Sequence, residues 1–225
     1  MDKKKLVEYH FLFEDGKKAQ FKVNLERAKE QFSLPPDIPK WTELSFNQCD
    51  NCSLSKSENE YCPTAVDISE IVSAFSDIFS FTQTKVTVKT PTRNFFKECD
   101  TQSALNSLLG VVMASSACPI LSQLKPLAVF HLPFASIQET IYRTVGNYLI
   151  RQYFANKEGK TPDLELNGLQ KLYKDLQTVN NSLTARIRKM SEKDSNPNAI
   201  ISWFGLSTIV QYSIDKELID LKELF

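Results

Sequence analysis

The sequence predicts an α+β fold, with a small antiparallel N-terminal sheet packed on a mainly helical C-terminal body. Apolar residues alternate along residues 5–25, which is the spacing of strands with one buried face. A third short alternating run lies at residues 84–90. From Asp100 onward, apolar residues instead recur at steps of three and four, as they do on one face of a helix.

The first predicted element is a β-hairpin over residues 5–25. Asp15 and Gly16 lie between its two alternating runs and supply the chemistry of a tight turn. One face of the hairpin carries the large apolar side chains: Val7, Tyr9, Phe11, Phe13, Phe21, Val23 and Leu25. An isolated hairpin is marginally stable in water, so other elements must cover this face.

The rest of the N-terminal half predicts two helices, a loop and one strand. Residues 26–32 suit a short helix before the stretch LPPDIPKW, in which three prolines interrupt regular structure. Residues 64–80 predict a helix that Thr64 caps. Residues 84–90, rich in threonine and valine, predict a third strand that joins the hairpin.

The C-terminal half predicts successive helices, the first of which is apolar nearly all round and therefore central in the core. Ser136 and Glu139 fit a capping box that opens the next long helix. Residues 163–193 predict another long helix, packed antiparallel on the preceding one. A further helix begins at Pro197, and a short amphipathic helix covers residues 213–224.

These elements predict a single domain over residues 1–225. The helix at 64–80 links the predicted strands, and no flexible linker separates the sheet region (1–95) from the helical body (96–225). With 42% hydrophobic and 24% charged residues, the composition is that of a globular protein.

Charge and hydropathy disfavour some functional classes. Lysine plus arginine and aspartate plus glutamate both number 27, so the basic excess typical of nucleic-acid binding is missing and no nucleic-acid partner is expected. The N-terminus lacks the apolar run of a signal peptide, and the longest strongly apolar stretch is far shorter than the roughly 20 residues of a membrane span. We therefore expect a cytoplasmic protein without membrane association.

Three cysteines lie in the stretch FNQCDNCSLSKSENEYCP with the spacing Cys-x2-Cys-x9-Cys: Cys49, Cys52 and Cys62. Cytosolic proteins rarely form disulfides, and the odd total of five cysteines also argues against a disulfide framework. Zinc binds four such ligands tetrahedrally, so the cluster predicts three ligands of a structural zinc site. Plain thiols, or a redox pair of Cys49 and Cys52 that acts as a thiol sensor, are the alternatives.

The fourth zinc ligand must come from elsewhere in the chain. Cys118 is the first choice, because Cys118-Pro119 repeats the Cys-Pro pair formed by Cys62 and its neighbour. His131 and Cys99 are the other candidates. A site built from Cys118 would join the sheet region to the helical body.

The second candidate site is a pocket around His131, with Glu139 and Arg143 on the following helix. An enzyme could gather these residues and the Cys118 loop, but a catalytic histidine also needs an orienting carboxylate and a nucleophile. The sequence contains no P-loop, dinucleotide-binding, zinc-protease or nucleophile-elbow motif. Arg186 shares a helical face with two lysines, and we expect that face to be solvated.

The segments CDNCSLSKSENEYCP, LLGVVMASSACP, FHLPFASIQETIYR and YLIRQYF resemble a family of uncharacterised bacterial proteins, a domain of unknown function. Ser115 and Ala117 depart from the family's pattern, which has threonine and glycine there. The resemblance covers most of the chain, carries no assigned activity and implies a bacterial cytosolic setting. The leading hypothesis is a non-enzymatic binding or regulatory module with a structural zinc and an unidentified protein partner; an enzyme is the alternative.

Overall fold

The computed structural model describes residues 6–26, 37–189, 193–194, 197–199 and 214–224. Its sheet is antiparallel, with the strand order β2-β1-β3-β4. The strands are β1 (Leu6–Phe13), β2 (Lys18–Asn24), β3 (Gln83–Lys89) and β4 (Asn94–Asp100). This confirms the α+β class, the hairpin and the third strand, and it adds β4, a strand that the sequence pattern did not predict.

The hairpin turn has the predicted chemistry. Gly16 adopts a left-handed backbone with φ of 85°, a conformation that costs glycine little. The Asp15 carboxylate accepts a hydrogen bond from the backbone N–H of Lys17 at 2.9 Å. In the resulting register Tyr9 pairs with Phe21 on β2, so the large side chains of both strands lie on one face.

The helices are α1 (Pro63–Ala74), α2 (Thr101–Ala114), α3 (Lys125–Val129), α4 (Ile137–Lys157), α5 (Asn167–Arg188) and α6 (Ile214–Lys222). Short 3₁₀ turns cover Lys40–Thr42 and Leu121–Leu124. Residues 197–199 are helical, as predicted for the restart at Pro197. The helix expected at 26–32 lies almost entirely outside the described residues.

Two helices, α1 and α5, have boundaries that differ from the prediction. Cys62, rather than Thr64, is the N-cap of α1, and that helix ends at Ala74 instead of near residue 80. The start of α5 lies later than expected, because Leu166 takes a left-handed backbone with φ of 61°. The Asp163 carboxylate then accepts a hydrogen bond from the Gly168 N–H at 2.8 Å and satisfies one free donor of the first turn.

The apolar face of the sheet is covered by helices and belongs to one hydrophobic core. The Phe75 ring, directly after α1, lies 5.0 Å from the ring centre of Phe11 and 5.8 Å from that of Phe21. Nearly all apolar side chains of α2 are buried, which confirms its predicted central position. In the described part of the chain, no helix is both long enough and apolar enough to cross a membrane.

Candidate functional site

The cysteine loop, residues 46–62, is attached to the side of α5 by two amide side chains. The Asn47 Nδ2 donates a hydrogen bond to the backbone carbonyl of Ser182 at 2.9 Å. The Asn51 Nδ2 donates to the carbonyl of Asp175 at 3.0 Å. These polar contacts join segments that are more than 120 residues apart in sequence.

Arg186 on α5, which was predicted to be solvated, is instead buried beside the segment that leads into the same loop. Arg186 is only 1% exposed, and its guanidinium donates hydrogen bonds to the carbonyls of Trp41 at 2.6 Å, Glu43 at 2.7 Å and Leu44 at 3.2 Å. The prediction that Arg186 is solvated was therefore wrong. Its positive charge instead lies at the base of the cysteine loop and favours the thiolate form of Cys62.

Two of the cysteines each begin a helical turn. Cys62 is the N-cap of α1, with proline at the first helical position. Cys118 precedes Pro119 and the 3₁₀ turn, and its carbonyl accepts a hydrogen bond from the Ser122 N–H at 2.9 Å. At each cysteine the backbone N–H groups two and three positions further on donate hydrogen bonds to the sulfur. Such donors stabilise a thiolate, because the start of a helical turn carries partial positive charge.

A buried hydrogen bond joins these two helix starts. The Thr64 hydroxyl lies 2.9 Å from the Ser116 hydroxyl, across 52 residues of sequence. The same Thr64 hydroxyl hydrogen-bonds the Cys118 sulfur, and the Ser116 hydroxyl accepts from the Cys118 N–H at 3.3 Å. The contact therefore places Cys62 and Cys118 side by side.

The four cysteines predicted as ligands form one electrostatic neighbourhood. Burial raises the pKa of the Cys49 thiol to about 11, partly opposed by a hydrogen bond from Ser182, and the negative charges of Cys62, Cys118 and Cys52 raise it further. Burial is also the main cause of the raised pKa at Cys118, to which Cys52 contributes. Cys52 closes the local turn, since its N–H donates to the Cys49 carbonyl at 3.0 Å.

Of the three candidates for a fourth ligand, the structure brings Cys118 to the loop. Cys99 is buried on β4, where the neighbouring charges are those of Lys97 and Asp100. His131 lines a separate cavity. Within the described ranges, no group of three or more histidine, cysteine, aspartate or glutamate side chains is arranged to hold a metal ion.

The second candidate site is a cavity of about 340 Å³, between α2, the α3 segment and the start of α4. Its lining includes His131 and Arg143, two of the three residues considered for a pocket in the sequence. Glu139 and Cys118 do not appear among the described residues that line it. The structure therefore brings together two members of the predicted constellation and leaves the other two outside.

His131 belongs to a chain of hydrogen bonds that reaches the sheet. Its Nε2 lies 2.6 Å from the Tyr9 hydroxyl, which lies 2.7 Å from the Ser107 hydroxyl. The Ser107 oxygen accepts a further hydrogen bond from the Phe134 N–H at 3.2 Å. Burial, and secondarily the charge of Arg143, lowers the pKa of His131 to about 3, so the ring is neutral at physiological pH.

The sequence pattern did not predict Tyr9, Ser107 and Phe134 as residues of this site. Tyr9 matched the apolar face of the hairpin, and its partners Ser107 and His131 lie 98 and 122 residues away. No local pattern reports such a contact. A buried tyrosine hydroxyl requires a hydrogen-bond partner. This requirement was the one signal in the sequence that could have indicated a polar contact at Tyr9.

Glu139 and Arg143 have separate structural partners. The Glu139 carboxylate accepts a hydrogen bond from the Ser136 N–H at 2.7 Å, and the Ser136 hydroxyl accepts from the Glu139 N–H at 3.2 Å, which confirms the capping box. Arg143 donates through Nη2 to the carbonyls of Leu127 at 2.9 Å and Phe130 at 2.6 Å. The ion pairs among the described residues do not include one between Glu139 and Arg143.

Comparison with known proteins identifies a family without assigning an activity. No curated protein matches the chain, and no solved structure matches it. One family model, described as a domain of unknown function (DUF6901), matches residues 7–225. Because this match spans nearly the whole sequence, the chain belongs to that family of domains of unknown function.

Proposed function

We propose that this protein is a non-enzymatic cytosolic binding module in which Cys49, Cys52, Cys62 and Cys118 hold a structural zinc ion. The hydrogen bond between Thr64 and Ser116 carries the proposal, because it brings the two Cys-Pro helix starts together beneath the cysteine loop. Two further cysteines of that loop, separated by two residues, supply the remaining thiols.

The surroundings of the sulfurs suit a zinc site. Zinc replaces thiol protons when it binds, so groups that stabilise thiolates favour its binding. Backbone N–H donors at both helix starts and the nearby charge of Arg186 would stabilise the thiolates in the bound state. In the bound state, each of the four sulfurs would lie about 2.3 Å from the zinc ion.

A structural role follows from what the ion would connect. Two amide hydrogen bonds join the cysteine loop to α5, and the Arg186 guanidinium joins α5 to the carbonyls of Trp41 and Glu43 just before the loop. Zinc would add a covalent-strength link between this loop, the start of α1 and the turn that follows α2. The ion would thus fix the sheet region to the helical body.

Metal analysis of the untagged, purified full chain tests this proposal. We expect about one zinc per chain by elemental mass spectrometry, because four cysteine ligands complete one tetrahedral site. Cys118→Ser should lose most of the zinc, whereas Cys99→Ser, which removes a buried cysteine outside the cluster, should retain it. A chelator should lower the melting temperature of the wild type.

Two results would contradict parts of this proposal. A metal-free protein that is stably folded and whose cluster thiols all react with a thiol reagent would refute the zinc site. Equal zinc content in Cys118→Ser and wild type would instead exclude Cys118 as a ligand.

The two alternatives have less support. General-base catalysis by His131 at neutral pH is disfavoured by its low pKa, and its ring contacts the Tyr9 hydroxyl rather than a carboxylate. Reactive redox cysteines have lowered thiol pKa values, whereas burial raises that of Cys49. A reversible Cys49–Cys52 disulfide in the purified protein would favour the sensor.

A further inference from the structure

The cavity beside His131 has the size and charge of a site for a small anion. Its volume of about 340 Å³ is at the lower end of the range of about 300–1,000 Å³ found for ligand pockets. Two positively charged residues, Lys97 and Arg143, line it, and the described lining residues include no aspartate or glutamate. Much of the remaining wall is apolar, with Leu124, Leu127 and Ile137 among its members.

Most polar donors in the wall already have partners. The Ser103 hydroxyl donates to the Asp100 carboxylate at 3.1 Å, and the Thr140 hydroxyl donates to a backbone carbonyl at 2.8 Å. The Asn106 Nδ2 donates to the carbonyl of Ala199 at 3.0 Å. The two hydroxyls therefore supply no donor to a ligand, and Asn106 keeps one of its two amide N–H donors.

Arg143 has hydrogen-bond donors that no described residue uses. A guanidinium carries five N–H donors, and Nη2 uses two of them on the carbonyls of Leu127 and Phe130. This leaves three donors, on Nε and Nη1, without a partner among the described residues. The two carbonyl contacts also hold the guanidinium at the cavity wall, so a ligand would meet a fixed cation.

Backbone strain lies at the same wall. Phe134 adopts a left-handed backbone with φ of 59°, which is unfavourable for a bulky residue and is commonly found at ligand sites. Its N–H is held by the Ser107 hydroxyl at 3.2 Å, and the Lys97 ammonium lies 5.5 Å from its ring centre. The strained residue thus positions both an aromatic surface and a second cation at the cavity.

We propose that this cavity binds a small monocarboxylate, with the carboxylate on Arg143 and a short apolar body against the leucine and isoleucine wall. The inference deepens the proposed function, because it assigns a ligand class to the binding module. Arginine suits a carboxylate better than a neutral ligand, since hydrogen bonds between two charged groups are the strong ones. A cationic ligand would face Lys97 and Arg143 without a described counter-charge.

Calorimetric titration of the full chain tests the proposal, with hexanoate and phenylacetate as probes. The neutral analogues hexanamide and phenylacetamide have the same apolar bodies and serve as matched ligands. We expect saturable binding of the carboxylates, about tenfold or more tighter than that of the amides, which is the range for charged hydrogen bonds. Zinc content is measured in the same samples.

Variants locate the site. Arg143→Gln should weaken hexanoate binding about tenfold or more, because it removes the charged partner. Arg151→Gln is the matched control: Arg151 lies on the same helix and also donates to a backbone carbonyl, at 3.1 Å, but it does not line the cavity. Ala135→Leu should abolish binding by filling the cavity, and it leaves Arg143 and its carbonyl contacts in place.

Three outcomes would overturn the proposal: no saturable binding at about 10 mM probe, equal affinity for hexanoate and hexanamide, or wild-type affinity in both Arg143→Gln and Ala135→Leu. The comparison of carboxylate with amide uses the wild type, so it holds even if Arg143→Gln fails to fold. Zinc-loaded protein that binds no carboxylate would refute this inference alone. Carboxylate binding by zinc-free, stable protein would refute only the zinc site.

Discussion

At the scale of single residues, Arg186 shows how one buried charge can organise a loop. It is 1% exposed, and its guanidinium donates to three backbone carbonyls of residues 41–44 rather than to a carboxylate. Buried carbonyls need partners, and this segment has a short 3₁₀ turn in place of a regular ladder. One side chain from α5 thus supplies the missing donors.

We predict that Arg186→Met, which keeps much of the side-chain volume, lowers the free energy of unfolding by about 3 kcal/mol or more. The substitution removes the guanidinium donor from the carbonyls of Trp41 and Leu44, whereas the Glu43 carbonyl still accepts from the Phe46 N–H at 3.1 Å. Each unsatisfied buried group costs about 1–3 kcal/mol. Urea denaturation measures the change. Arg188→Met, at an exposed position two residues further on, should change stability by only about 0.5 kcal/mol. Equal effects of the two substitutions would show that the carbonyl contacts contribute nothing.

At the scale of elements, the start of α4 depends on a charge as well as on hydrogen bonds. The backbone and side-chain hydrogen bonds of Ser136 hold the pKa of Glu139 below its ordinary value of 4.5, and the charge of Arg143 acts in the same direction. A lowered carboxyl pKa stabilises the folded state above the unfolded pKa, and this contribution is lost as pH falls through the folded pKa.

We therefore predict that Glu139→Gln is less stable than wild type at pH 7 and that the difference disappears as the pH falls below about 4.5. Glutamine retains the capping-box acceptor, so the variant isolates the effect of the charge at the helix N-terminus. Free energies of unfolding measured across this pH range provide the check. Glu165→Gln, at an exposed glutamate ahead of α5, is the control. A stability difference that stays constant down to low pH would contradict the prediction.

Elements whose apolar residues follow a regular spacing were predictable from the sequence, and β4 shows why other elements were not. The hairpin was found because every second side chain of β1 is buried. In β4 only Cys99 is buried, and Phe96 is 62% exposed, so the strand has no alternating apolar face. It is an edge strand that follows β3 through a short turn, and its pairing with β3 rather than its own pattern defines it.

At the scale of the whole molecule, the two candidate sites also differ in how far the sequence predicted them. The three clustered cysteines were visible because they are close in sequence, and the repeated Cys-Pro pair indicated Cys118. The cavity was only partly visible: a histidine and an arginine drew attention, but their neighbours Tyr9 and Ser107 come from the sheet and from α2. Long-range contacts of this kind depend on the packing of complete elements, which no local spacing encodes.

The same long-range contacts lead us to expect that the chain unfolds as one domain. A single hydrophobic core contains Trp41 from the N-terminal half together with Ile141 on α4 and Leu176 on α5. Neither half can lose its structure without exposing apolar surface of the other, so the two should melt together. The sequence has two tryptophans, and Trp203→Phe leaves Trp41, only 3% exposed, as the fluorescent reporter of the sheet region.

In that variant, the urea midpoint from Trp41 fluorescence should equal the midpoint from far-UV circular dichroism, which reports mainly the helical body. Coincident transitions with one midpoint are the expected result for a single cooperative unit. Fluorescence that changes at a lower urea concentration than the helical signal would mean that residues 1–95 unfold independently. The chain would then consist of two domains, and the cysteine cluster would lie at their junction rather than inside one core.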